Sequence, residues 1–255
     1  MLKFRKKSAK PPAPPKKKVN RADLTIPEHL NELRQRLLRG LVAMIVAVLV
    51  CFAFGERLIE ILAIPIGGID RLISIEVTEN VSVFMRVSLL GGFILAFPYL
   101  LYEALAYLRP ALEDHEWRGL LIAIPFATLL FISGVLFAYF IMLPAALPFL
   151  ISFIGITTTP RLSNYFSFVT GLLFWIGVSF ETPLLVYLLA RFRLVTAEGL
   201  AKQWRVAVVI IAVLAAFVTP TPDPVNMGLL MIPLLVLYLL SIGLAKIARP
   251  AQDEK

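Results

Sequence analysis

Six apolar runs, at about Leu37–Phe54, Val81–Leu108, Gly119–Leu143, Tyr165–Ala190, Arg205–Val218 and Val225–Ala245, divide this chain. A helix needs roughly 20 consecutive apolar residues to cross the hydrocarbon layer of a bilayer, and several of the runs reach that length. Lipid offers no hydrogen bonds to backbone groups, so a spanning chain must form helices or a closed barrel. Continuous runs of this length exclude the alternating strands of a barrel. The expected fold is therefore an all-α polytopic membrane protein with six transmembrane helices. Only 16% of the residues are charged, against about a quarter in soluble domains. The fifth run has just Val206–Val218 between Arg205 and Thr219, short for a core about 30 Å thick. Prolines 98, 125, 144, 183 and 233 lie in or beside the runs and predict kinks, because each removes a helix hydrogen bond.

Charge sets the expected orientation. With the N-terminus in the cytoplasm, 21 of the 25 Lys and Arg residues lie on that side, leaving Arg57, Arg71, Arg86 and Arg161 opposite. The positive-inside rule then gives an N-in, C-in protein. Residues 1–28 read as a basic Pro/Lys-rich cytosolic tail, mostly disordered. Residues 29–245 form the membrane domain and 246–255 a short cytosolic tail. A basic patch beside so much apolar sequence points to anionic lipid headgroups rather than nucleic acid. The tail lacks the short apolar region of a cleaved signal peptide. The outer segments 55–80 and 144–164 are long, and Leu58–Ile66 is apolar enough to fold as a short helix over the outer face. One cysteine, Cys51, and two histidines, His29 and His115, without metal-ligand spacing, argue against a disulfide, a metal site or a cofactor.

Carboxylates stand where orientation does not require them. In His29-Leu-Asn-Glu-Leu-Arg-Gln-Arg-Leu, Glu32 precedes Arg36 by one helical turn. An intrahelical ion pair accounts for that spacing, and so does a functional carboxylate. The second loop, Arg109-Pro-Ala-Leu-Glu-Asp-His-Glu-Trp-Arg118, puts three acids on a basic face. They suit the positive dipole at the start of the third span or a site for a cationic partner. Glu181, in Phe180-Glu-Thr-Pro183, lies inside the fourth run. An ionisable group there costs about 3 kcal/mol or more to insert and by default marks function. Asp223, in Thr219-Pro-Thr-Pro-Asp-Pro224, either caps the sixth helix or presents a carboxylate at the outer membrane level.

Taken in order, these four motifs resemble the TatC family, the multi-spanning receptor subunit of the twin-arginine protein translocase. The resemblance runs from about His29 to Ala245. It implies six spans with short fifth and sixth helices, in the cytoplasmic (inner) membrane. It implies a cytosolic site for the paired arginines of signal peptides on folded precursor proteins, lined by Glu32, Arg34, Arg36, Tyr107 and Glu116. Glu181 matches the family's polar residue inside the fourth span, Asp223 its outer-loop aspartate and Pro65 a proline of the first outer loop. Implied partners are single-span TatA/TatB-type subunits, the signal peptides, anionic lipids and further copies of the chain. Transport in the family is driven by the proton gradient. Tyr107 stands where phenylalanine is frequent, Trp117 where a basic residue is common, and Met227 where some members carry glutamine. An arginine pair makes bidentate contacts to carboxylates that lysine cannot copy. A competing reading is a proton-coupled small-solute transporter using Glu181. An intramembrane hydrolase lacks a nucleophile–base pair.

Overall fold

The first apolar run forms only the later part of a longer helix, α1 (Ile26–Ala53), which takes in the whole His29–Leu37 motif. That motif and the first span are thus one continuous helix. The computed structural model describes residues 26–109, 114–151, 159–218 and 224–248; the basic tail and Asp223 lie outside them. The chain continues through α2 (Gly55–Ala63), 3-10 turns at Ile64–Ile66 and Ile69–Arg71, and α3 (Glu79–Leu108). Next come α4 (Asp114–Phe137), a π-helical turn at Ala138–Met142 and α5 (Leu143–Ile151). Then follow α6 (Leu162–Ser179), α7 (Thr182–Arg191), α8 (Ala197–Lys202), α9 (Trp204–Val218) and α10 (Pro224–Ala248). Among the described residues no strand forms, only an isolated parallel bridge between Ile73 and Arg161.

Among the described residues, five helical stretches are long and apolar enough to cross a membrane: His29–Ala53, Glu79–Tyr107, Leu121–Pro148, Leu162–Arg191 and Met227–Ala248. The fifth apolar run is the shorter helix α9, whose 15 residues extend about 22 Å. The short sixth helix implied by the resemblance does not appear, since α10 has 25 residues. Pro233 lies inside α10 without ending it. At its far end the Arg191 guanidinium donates to the Ala248 carbonyl at 3.0 Å, satisfying an acceptor that a helix C-terminus leaves open.

Two of the five prolines coincide with helix interruptions. Pro144 follows the π-helical turn, and Pro183 follows the break between α6 and α7. Proline at 183 cannot donate to the Ser179 carbonyl one turn earlier. The Thr182 hydroxyl donates to that carbonyl instead, at 2.6 Å. Pro98 and Pro125 remain within uninterrupted α3 and α4.

The core lies where α3, α4 and α6 meet, around the fully buried Phe131, Phe166, Met142, Leu172 and Ile176. Phe97 stacks on Phe131 with ring centres 3.8 Å apart. Against this core α1 packs along α3, its most extensive partner. Gly92 permits the contact: a Cβ there would stand 2.7 Å from the Val48 Cα. Small residues at such crossings let helix backbones approach closely in membranes. The outward face of α1, with Leu38, Val42, Ile45 and Leu49, is exposed, as a lipid-facing surface must be.

The apolar stretch Leu58–Ile66 does fold as helix, α2 and the turn after it. Two tyrosines hold it in place. Tyr139 Oη donates to the Ile61 carbonyl and Tyr165 Oη to that of Leu62, each at 2.7 Å. Beside it, Glu79 at the start of α3 is buried. It accepts from Ile75 N at 2.7 Å, from Ser163 Oγ at 2.9 Å and from Arg161. Arg161 also pairs with Glu76 at 2.6 Å. Loop, α3 and the start of α6 are thereby tied together at this end of the bundle.

Candidate functional site

At the opposite end of the α1–α3 pair, Arg36 sits between two carboxylates. Its Nε and Nη2 donate to Glu32 Oε1 at 3.0 and 2.7 Å. Its Nη1 donates to Glu103 Oε2 at 3.0 Å. The other oxygen of Glu103 accepts from Tyr99 Oη at 2.8 Å. Helical spacing makes two of these contacts, since Glu32 and Arg36, like Tyr99 and Glu103, are one turn apart. The contact of Arg36 with Glu103 is tertiary and depends on α1 lying along α3. Exposure falls inward, from 26% for the Glu32 side chain through 17% for Arg36 to 7% for Glu103. With all three ionised, two carboxylates face one guanidinium, and the exposed Arg39 lies near enough to act electrostatically on Tyr99.

The cluster opens into a cavity of about 570 Å³ between the two helices. From α1 it is lined by Leu33, Arg36, Leu37, Gly40, Leu41 and Met44, and from α3 by Leu100, Glu103, Ala104 and Tyr107. Its walls are apolar apart from the ion pair and the tyrosine. Tyr107 is held by its own contact: the His29 ring stacks on it, with centroids 4.5 Å apart and planes 24° from parallel. Such a site can hold a cationic group at one end and an apolar chain along the rest.

The structure therefore brings together three residues expected at the site, Glu32, Arg36 and Tyr107. Arg34 is exposed on α1. The Glu116 side chain lies outside the described residues, although its backbone is in the first turn of α4. Its neighbour Trp117 is placed against α3, with the Arg109 guanidinium 5.4 Å from its ring and the Tyr102 ring 6.4 Å away. Pro65 is half-buried in the turn after α2, remote in the fold from this cluster. Glu181 immediately precedes α7 without a side-chain capping bond, and both its carboxylate oxygens are buried without a hydrogen-bond partner of ordinary geometry among the described residues. It does not line the cavity.

Glu103 is absent from the sequence-based candidates. The signal for it was present, because Glu103 is an ionisable residue within the second apolar run. The rule that singles out Glu181 applies to it equally.

Comparison with known proteins matches this architecture to one family. The family model described as Sec-independent protein translocase protein (TatC) matches residues 28–233. A relative from Aquifex aeolicus, a Sec-independent protein translocase protein TatC, is 38% identical over 91% of this chain and 98% of its own length. The protein of that name from Deinococcus radiodurans is 34% identical over 96% of this chain and 92% of its own. A crystal structure of the twin-arginine translocase receptor TatC superposes with a TM-score of 0.72 at 37% identity, covering 87% of this chain and 99% of that one. A second, in the detergent DDM, gives 0.76 at 37% identity, covering 86% and 100%. None of these supports the solute-transporter reading of Glu181.

Proposed function

The chain belongs to the TatC family of Sec-independent protein translocase proteins, and from that premise we propose that its α1–α3 cavity receives twin-arginine signal peptides. The observation that carries this reading is the guanidinium-binding cluster at the mouth of an apolar groove. A twin-arginine signal joins two guanidinium groups to an apolar stretch, and the groove offers carboxylates followed by leucines in the same order. An exposed ion pair contributes only about 0–1 kcal/mol. Burial of the signal's apolar segment along α1 and α3 supplies most of the affinity, and the carboxylates supply the choice of arginine. Glu116, in the first turn of α4, completes the acidic site beside Glu32, with Arg34 and Arg36 balancing its charge.

In this reading the site faces the cytoplasm, both termini are cytoplasmic, and the protein is a multi-pass component of the inner membrane. It nucleates assembly with single-span TatA/TatB-type subunits for export of folded proteins. Its basic tail lies on anionic lipid, and copies of the chain associate with one another. Glu181 is the functional polar residue inside the membrane, and Pro65 and Asp223 are functional residues of the outer loops. Glu116→Ala tests the recognition step: a photo-crosslinking twin-arginine signal peptide, captured by the wild-type chain, is expected to lose its crosslink. Unchanged crosslinking removes Glu116 from the site.

A further inference from the structure

We infer that Glu103 is a further arginine-holding carboxylate of this site and that Arg36 is its resident occupant, displaced when a guanidinium of the signal peptide arrives. This rests on the signal-receptor reading above. Glu103 lies within an apolar helix with its side chain 7% exposed. A buried ion pair stripped of one partner leaves an uncompensated charge, which is strongly destabilising. Glu103 is therefore stabilised by a cation beside it, and in the unliganded chain Arg36 is that cation.

The geometry is that of a bound ligand supplied by the protein itself. Three nitrogens of Arg36 are engaged on two carboxylates that belong to different helices. A lysine ammonium is one point of charge and cannot span them in this way. Tyr99 fixes the far oxygen of Glu103, so the near oxygen stays aimed at the guanidinium position when the occupant changes. An arriving arginine exchanges like for like. The swap leaves no buried charge unpaired. A resident occupant also lowers the apparent affinity of the competitor by the fraction of time that the site is free. The empty receptor is thus kept from holding stray basic peptides.

The test uses the full chain in nanodiscs, titrated with a fluorescent twin-arginine signal peptide and its twin-lysine counterpart. Arg36→Gln is expected to bind the twin-arginine peptide about three- to tenfold more tightly than wild type, the factor for a resident present roughly 70–90% of the time. The twin-lysine peptide should gain less. Millimolar guanidinium chloride, but not equal sodium chloride, should compete with the peptide in Arg36→Gln and have little effect on wild type. The double variant Arg36→Gln/Glu103→Gln should lose the gain. Weaker or unchanged binding by a folded Arg36→Gln chain, or a gain that persists in the double variant, overturns the inference. Should Arg36→Gln fail to fold, Arg36→Lys, which keeps the charge but releases one carboxylate, must also tighten binding; equal or weaker binding overturns it. Wild-type binding that is lost in Glu116→Ala upholds the receptor reading whatever Arg36 does. A wild-type chain that ignores the peptide defeats both.

Discussion

Both carboxylate oxygens of Glu79 face donors: Ile75 N on one side, Ser163 Oγ and Arg161 on the other. Glutamine has the same shape, but one of its two terminal positions is an NH2 donor. Either orientation of the substituted amide then sets donor against donor in a buried place, which is costlier than removing both partners together. Glu79→Gln should lower the thermal midpoint of the detergent-solubilised protein, and an unchanged midpoint would show that the cluster is not tying this end of the bundle. The same scale shows what the chain's sequence discloses. The Glu32–Arg36 pair was legible because one helical turn separates the two residues. The Arg36–Glu103 pair was not, because 67 residues separate them and only the packing of α3 on α1 joins them. Glu181 was legible as an isolated carboxylate in an apolar run, and its place at the start of α7 follows from Pro183.

Between elements, backbone distance decides. A side chain at Gly92 would bring Cβ 2.4 Å from Val48 Cγ2 and 2.8 Å from the Val48 backbone nitrogen, contacts that only separation of α1 and α3 relieves. Gly92→Val should therefore destabilise the protein by about 1–3 kcal/mol, the usual cost of overpacking, and loosen the groove on the same helix pair. Gly171→Ala is the control: its added Cβ meets nothing within 4 Å, and alanine is the better helix former by up to about 1 kcal/mol. Chemical denaturation of both variants, read by far-ultraviolet circular dichroism, should separate them in opposite directions. Equal loss in both would mean that the close approach at Gly92 has no special role. Apolar period and length made the helices themselves readable. Which glycine meets which helix was not, since that depends on how α1 is rotated about its axis, and no local pattern encodes the rotation. The short sixth helix came from the resemblance and not from the residues, since the apolar run Val225–Ala245 already covers most of α10 (Pro224–Ala248).

For the molecule as a whole, the proposed N-in, C-in orientation rests on 21 of 25 Lys and Arg residues falling on one side of the alternating spans. The ends of α7 and α10 and the short α8 are joined on that side by Arg191 to Ala248 and by Tyr238 to the Leu200 carbonyl at 2.6 Å. The α2–α3 turn region, tied through Glu79 and Arg161, belongs to the other side. Helix α9 is the weak point of the alternation, being about 22 Å long against a core of about 30 Å. If α9 failed to cross, α10 would run the wrong way and Arg191 could not reach Ala248. This contact favours an α9 that traverses, with the bilayer thinned around it. Cys51, the sole cysteine, allows a direct check. In a Cys51→Ala background, Val77→Cys, at a position 96% exposed, should react with an impermeant maleimide in sealed right-side-out vesicles. Gln203→Cys, between α8 and α9, should react only after the vesicles are permeabilised. Asn226→Cys, at the start of α10 and beyond α9, should react before permeabilisation as Val77→Cys does; protection of Asn226→Cys until permeabilisation would show that α9 does not cross, and early labelling of Gln203→Cys would place the α8–α9 connection outside.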